Sequence, residues 1–211
     1  MGYKKILVAP LDWGLGHATR CIPIIKALEK EKFEPVLAGN GASLQLLRKE
    51  FPHLKNFELP SFQIKYAMNP RFLKLKLLAQ SPHIIKTISE ERRFTRNLVT
   101  EEEISVIISD NRWGVFSDII PSVFITHQLK ILSGWSTNFS SKLQQKLIGN
   151  FEEIWIPDVE GETNLSGKLG HLNKSSKSLS DLGILSRFEK EYPLINLSLL
   201  YANILWRKRP G

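Results

Sequence analysis

The chain has 211 residues, enough for one generous domain or one domain plus a fragment of a second. With 42% hydrophobic and 24% charged residues it has the ordinary mix of a soluble globular protein. A single cysteine excludes an internal disulfide framework, and an N-terminal apolar run broken by Pro10 and Asp12 is too short for a signal peptide or a membrane span. The net charge of +8 favours an anionic partner: nucleic acid, a lipid surface or a phosphorylated substrate.

In chain order, "KILVA" reads as a strand, and His17 to Lys30 as a helix whose Ala18, Cys21, Ile22, Ile25 and Leu28 recur at helical spacing. "EPVLAG" is a second strand, "NGASLQLLRKEF" a glycine turn into a second helix, and "KNFELP" a third strand. Residues 69 to 100 hold one or two helices, with Pro70 and Pro82 as starts or breaks. "ISVIISD" is a buried strand ending on Asp110, and a short helix is expected over "WGVFSDII". "PSVFITHQ" is a strand ending in His127 and Gln128, "NFSSKLQQKLIGNF" a helix and "EEIWIPD" a strand. The polar stretch Gly167 to Ser180 reads as a surface loop, and "GILSRF" as a candidate last strand. Repeated strand–helix order implies an α/β fold: a Rossmann-like parallel sheet with helices on both faces. The expected division is one domain over residues 1–185 and a linker or tail over 186–211.

The chemistry concentrates at "DWGLGHATR". In a parallel sheet, ligands bind at the carboxyl ends of strands where the strand order reverses, and this loop closes the first strand. Gly14 and Gly16 permit a tight turn and close approach of a ligand, and the helix that follows offers free N–H groups and partial positive charge to a phosphate or oxyanion. A dinucleotide fingerprint is disfavoured on two counts: its third glycine is replaced by Thr19, and the second strand ends "VLAGNG" without an acid for the ribose. A P-loop is excluded because no Gly-Lys-Ser or Gly-Lys-Thr precedes the helix. His17 projects into the same crevice from the first helical position, against the simpler reading of a packing or capping histidine. Its i, i+4 spacing to Cys21 suits a shared metal, but no further cysteine or histidine cluster supports one, and Cys21 reads as core. Asp110-Asn111-Arg112 and Thr126-His127-Gln128 end two further strands and face the same rim, with helix capping as the alternative role for Asp110.

"ILVAPLDWGLGHATRCIPIIKAL" resembles the opening of glycosyltransferases of the two-domain GT-B fold, and in kind the bacterial MurG-type N-acetylglucosaminyltransferases. "GLGHATR" is similar to their glycine–histidine loop, "PSVFITHQ" to the strand ending in a His-Glu or His-Gln pair, and "FEEIWIPD" to the strand leading toward the domain linker, so the resemblance covers about residues 3 to 190. It implies inverting transfer of a sugar from a nucleoside diphosphate sugar to the hydroxyl of an acceptor glycan or glycolipid. His17 would orient the acceptor or act as its base, with Asp110 as a second catalytic candidate. Gly14, Leu15, Gly16, Thr19, Asn111, His127 and Gln128 are the substrate-binding candidates. No metal or other cofactor is implied, because helix N-termini take the negative charge.

The resemblance also implies a second, donor-binding domain of roughly 150 residues, which these 211 residues do not contain. The expectation is a truncated or frameshifted product that keeps the acceptor half and does not catalyse transfer alone. An alternative is a non-catalytic acceptor-binding or membrane-anchoring subunit served by a separate donor-binding chain, as in the split N-acetylglucosaminyltransferase of dolichol-linked glycan synthesis. Between residues 62 and 100, eight Lys or Arg face two Glu. The resemblance gives this segment a use: Lys65, Lys74 and Lys76 with Phe72, Leu75 and Leu78 would touch anionic headgroups, placing a cytoplasmic protein peripherally on the inner face of the membrane. No specific nucleic-acid partner is expected, since no reading motif accompanies the charge.

Overall fold

The computed structural model describes residues 3–60, 73–126, 146–157, 178–183 and 185; side chains are described from residue 82 onward in the long helix. Seven strands form one sheet: β1 (Lys5–Pro10), β2 (Glu34–Gly39), β3 (Asn56–Glu58), β4 (Ile104–Asp110), β5 (Ser122–Ile125), β6 (Glu153–Ile156) and β7 (Ser178–Asp181). Their order is β3-β2-β1-β4-β5-β6-β7, and every neighbouring pair is parallel. The helices are α1 (Leu15–Lys30), α2 (Gly41–Glu50) and α3 (Leu73–Glu101).

The strands are apolar on both faces because both faces are covered. Along β1 the side chains alternate: Ile6 and Val8 pack with Cys21, Ile22 and Ile25 of α1 and Leu44 and Leu47 of α2. Leu7 and Ala9 pack with Val36, Ala38, Ile107 and with Leu98 and Val99 of α3. All five apolar residues expected on the inner face of the first helix are fully buried, and so is Ile24. Each buried isoleucine contributes about 1.5–3 kcal/mol, so this face alone fixes α1 to the sheet. A third cluster, Phe116, Phe124, Ile148, Phe151, Ile154 and Ile156, fills the space beside β5 and β6.

Chain order runs outward from β1 to β3 on one side and from β4 to β7 on the other. The reversal falls between β1 and β4, which pair from Lys5↔Ile104 to Pro10↔Asp110. The crevice above that pair is the ligand position of such sheets, and it places the end of "ILVAP" beside the end of "ISVIISD".

Four expectations are corrected. "WGVFSDII" is no helix; residues 111–121 form turns and bends. The Gly114 N–H donates instead to Glu91 Oε2 at 3.2 Å, and Val115 and Phe116 are drawn into two different clusters. Pro82 does not break a helix: α3 runs 29 residues with Pro82 inside it. The polar stretch to Ser180 is not all loop, since Ser178–Asp181 pairs with β6. Among the described residues the last strand is therefore this one, and Gly183 and Leu185 in "GILSRF" are not strand. Here sheet pairing overrides weak intrinsic strand preference. Of the helix expected over residues 138–151, residues 146–148 are helical, 149–151 are turn and bend, and 138–145 lie outside the described residues, as does 186–211.

Candidate functional site

The loop from Leu11 to Gly14 leaves β1 and enters α1 at Leu15, so His17 is the third helical residue, not the first. Gly14 is the N-cap with φ 96°, a value that side-chain-bearing residues rarely adopt. No side chain caps this helix, and no acidic residue stands in its first turn. A Cβ at Gly14 or Gly16 would meet nothing within 4 Å, so the backbone here borders open space. Leu15 and Trp13 flank it, 50% and 42% exposed.

Below the rim lies a charged cluster. The Asp110 side chain is fully buried. His17 Nδ1 is 3.1 Å from its Oδ1, Arg20 Nε donates to its Oδ2 at 2.5 Å, and an Arg20 Nη2 proton reaches Oδ1. Arg20 Nη2 also lies 2.6 Å from His17 Nδ1. The buried Cys21 Sγ sits 3.9 Å from Asp110 Oδ2, a weak S–H contact. Burial pulls the Arg20 pKa down, but the hydrogen bonds and charge of Asp110 outweigh it and leave the group above its ordinary value. Burial pushes the Cys21 thiol well above the usual range, and the Asp110 charge adds to it. Cys21 is a core residue, as expected. Among the described residues, no group of three or more His, Cys, Asp or Glu is placed to hold a metal.

The structure thus brings His17 and Asp110 into contact across 93 residues of sequence. Gly14, Leu15 and Gly16 form the rim beside them. Thr19 donates its hydroxyl to Gly16 O at 3.0 Å, one turn back on its own helix. Asn111 follows Asp110 with φ 56°, the left-handed region that asparagine tolerates, and its N–H bonds Ile125 O. His127 and Gln128 lie outside the described residues, as do the side chains of Lys65, Phe72, Lys74, Leu75, Lys76 and Leu78. No helix among the described residues is long and apolar enough to cross a membrane.

Two features escape a reading of the sequence. Arg20 stands three residues after His17, a spacing that shares a helix face, which is the one signal available for it. Arg112, expected on the rim with Asp110 and Asn111, is instead fully buried, in an ion pair with Glu91 of α3 at 2.7 Å. It also donates to Pro10 O at 3.3 Å, Asn40 Oδ1 at 2.7 Å and Pro60 O at 2.8 Å. One guanidinium therefore ties together the chain leaving β1, β2 and β3. Burial pushes the Glu91 carboxyl up, with Arg112 and the Gly114 N–H opposing that shift.

No protein-family profile matches the chain, and no curated protein matches it in sequence. Solved structures do match its shape. A UDP-N-acetylglucosamine 2-epimerase superposes with a TM-score of 0.53 at 12% identity, over 86% of this chain and 48% of that one. The glycotransferase of kitacinnamycin gives 0.51 at 12% identity, over 74% of this chain and 46% of that one. The chain has the Rossmann-like fold of a GT-B half. A looser match, TM-score 0.47 at 11% identity, is MurG of Acinetobacter baumannii, over 84% of this chain and 44% of that one. This GT-B-like chain spans about half the length of the solved proteins it matches.

Proposed function

We propose that the chain is the acceptor-binding half of a glycosyltransferase. That enzyme moves a sugar, with inversion, from a nucleoside diphosphate sugar to the hydroxyl of a glycan or glycolipid. The observation that carries this reading is the contact of His17 with the buried Asp110 at the point where the strand order reverses. His17 binds the acceptor hydroxyl at the rim. As the acceptor oxygen bonds to the anomeric carbon and the bond to the diphosphate breaks, the hydroxyl proton passes to the imidazole and the nucleoside diphosphate leaves with the electron pair. Gly14 and Gly16 leave room for the acceptor to approach, and the uncapped start of α1 places partial positive charge beside the departing anion. Leu15, Thr19 and Asn111 line the same rim, with His127 and Gln128 as further binding candidates. The two solved proteins matched with TM-scores above 0.5 are a UDP-sugar epimerase and a glycotransferase, which supports the substrate class.

A second reading is a non-catalytic acceptor subunit that works with a separate donor-binding chain. Both readings require that acceptor sugars bind beside His17. The test is a titration of the chain with a panel of glycans and glycolipid headgroups, then UDP-, GDP- and dTDP-sugars, while the His17 imidazole resonance is followed by NMR. A glycan that shifts this resonance, with at least a tenfold loss of affinity in His17→Ala and an unchanged melting temperature, is the expected result. If no glycan or nucleotide sugar moves the His17 signal, the proposal fails.

A further inference from the structure

We propose that Arg20 is a positioning residue that fixes the tautomer of His17, holding the proton on Nε2 and so presenting a hydrogen-bond donor, not a base, to the crevice in the ligand-free chain. What this does for acceptor binding rests on the function proposed above; the tautomer itself does not.

The argument is a count of protons. Arginine has only donors. Arg20 Nη2 carries two protons and, among the described residues, faces Asp110 Oδ1 and, at 2.6 Å, His17 Nδ1. For both contacts to be attractive, Nδ1 must offer its lone pair, and a neutral imidazole then carries its proton on Nε2. The alternative puts the proton on Nδ1 and donates it to Asp110 Oδ1 at 3.1 Å. That turns the 2.6 Å approach of Arg20 into a meeting of two N–H groups. The shorter contact is the one that an unfavourable proton placement would drive apart. Asp110, moreover, does not need the histidine proton: Arg20 reaches both its oxygens, through Nε to Oδ2 and Nη2 to Oδ1. A carboxylate facing an imidazole ordinarily holds the Nδ1–H tautomer; here a guanidinium competes with the carboxylate for the same Nδ1. The His17 side chain is 13% exposed and that of Asp110 fully buried, so the contest for Nδ1 takes place mostly out of solvent.

A consequence follows for the reaction. A His17 with Nε2–H donates to an acceptor oxygen and holds it. To take the acceptor proton, it must exchange its own to Nδ1, which requires the Arg20 Nη2 contact to loosen. Arg20 thus separates a binding state of His17 from a base state.

The experiment records long-range ¹H–¹⁵N spectra of the histidine-labelled chain, free of ligand, at about pH 8.5, well above the ordinary histidine pKa of about 6.5. His17 is assigned by its loss in His17→Gln. Wild type is expected to show protonated Nε2 and bare Nδ1. Arg20→Met should move the signal to the Nδ1–H form, and Arg20→Lys, whose ammonium still donates but without a fixed fork, should give a mixture. Asp110→Asn, with Arg20 retained, should keep Nε2–H. If Arg20→Met does not fold, the wild-type, Arg20→Lys and Asp110→Asn spectra still decide. A wild-type chain with Nδ1–H, or an Arg20→Lys signal identical to wild type, overturns the assignment. A correct tautomer with no glycan binding would sink the proposed function and leave this inference standing; glycan binding with the Nδ1–H tautomer would do the reverse.

Discussion

Two strand-to-helix junctions lie side by side on the carboxyl edge of the sheet, and they are built to opposite ends. At β1–α1 the N-cap is Gly14, no side chain caps the helix, and the glycines border open space. At β2–α2 the space is filled. The Asp12 carboxylate accepts the Ser43 N–H at 2.9 Å, the buried Ser43 hydroxyl donates to Leu11 O, and Asn40 accepts from Arg112. A Cβ at Gly41 would stand 1.9 Å from Asp12 Oδ2. The acidic group that would neutralise the start of α1 is lent to α2. The second helix N-terminus is thereby consumed by structure, and the first is left open, with His17 and Asp110 beneath it.

The closed junction should therefore be the expensive one to damage. Removing Arg112 strips three strand ends of a common donor and leaves the buried Glu91 carboxylate unpaired. Breaking a buried pair from one side costs roughly 3–5 kcal/mol, so Arg112→Met should lose that much in urea unfolding. The paired change Arg112→Met with Glu91→Leu should recover a large part of it, because no buried charge remains. A loss under about 1 kcal/mol in the single variant would mean that the three strand ends do not depend on this brace.

Glycine substitutions sharpen the contrast at smaller scale. Gly41→Ala meets both a left-handed φ of 55° and the Asp12 carboxylate. The backbone costs about 1–2 kcal/mol and displacing the cap about 0.5–2 kcal/mol, for a total of about 1.5–4 kcal/mol. Gly16→Ala meets nothing, has ordinary helical φ, and should be neutral or stabilising by up to about 1 kcal/mol. Melting temperatures of the two variants, measured together, check the difference. If Gly16→Ala destabilised as much as Gly41→Ala, the first junction would be no more open than the second.

The sequence was most legible where one local pattern sufficed. Alternating apolar strands and the helical spacing of Ala18, Cys21, Ile22, Ile25 and Leu28 led directly to β1, α1 and the sheet. The glycine loop and the terminal Asp110 could be placed on one rim because parallel strands carry their ends to the same edge. What stayed hidden depended on partners distant in the chain. Glu91 is one of two acids in a basic run, and only the fold brings it to Arg112. Arg20 was within the quoted loop motif, yet its role requires the geometry of Asp110, 90 residues on. The missed turn at "WGVFSDII" has the same origin: its apolar residues answer to two separate clusters, not to one helix face.

The smallest effect concerns the depth of the open junction. Its rim is accessible, but its floor is sealed: Cys21 is fully buried directly under the His17–Arg20–Asp110 cluster. Burial first, then the Asp110 charge, raises the thiol pKa well above 9.0, against a smaller opposing pull from Arg20. Only the thiolate attacks alkylating reagents, so near pH 8 the group is protonated as well as shielded. Cys21 in the native chain should therefore resist iodoacetamide for hours and react within minutes once guanidinium unfolds the protein. Arg20→Lys should leave that protection in place, because it alters the cluster and not the packing of Ile22, Ile25 and Val8 around the thiol. Rapid native labelling would mean that the floor opens, and with it the buried setting in which Asp110 meets His17 and Arg20.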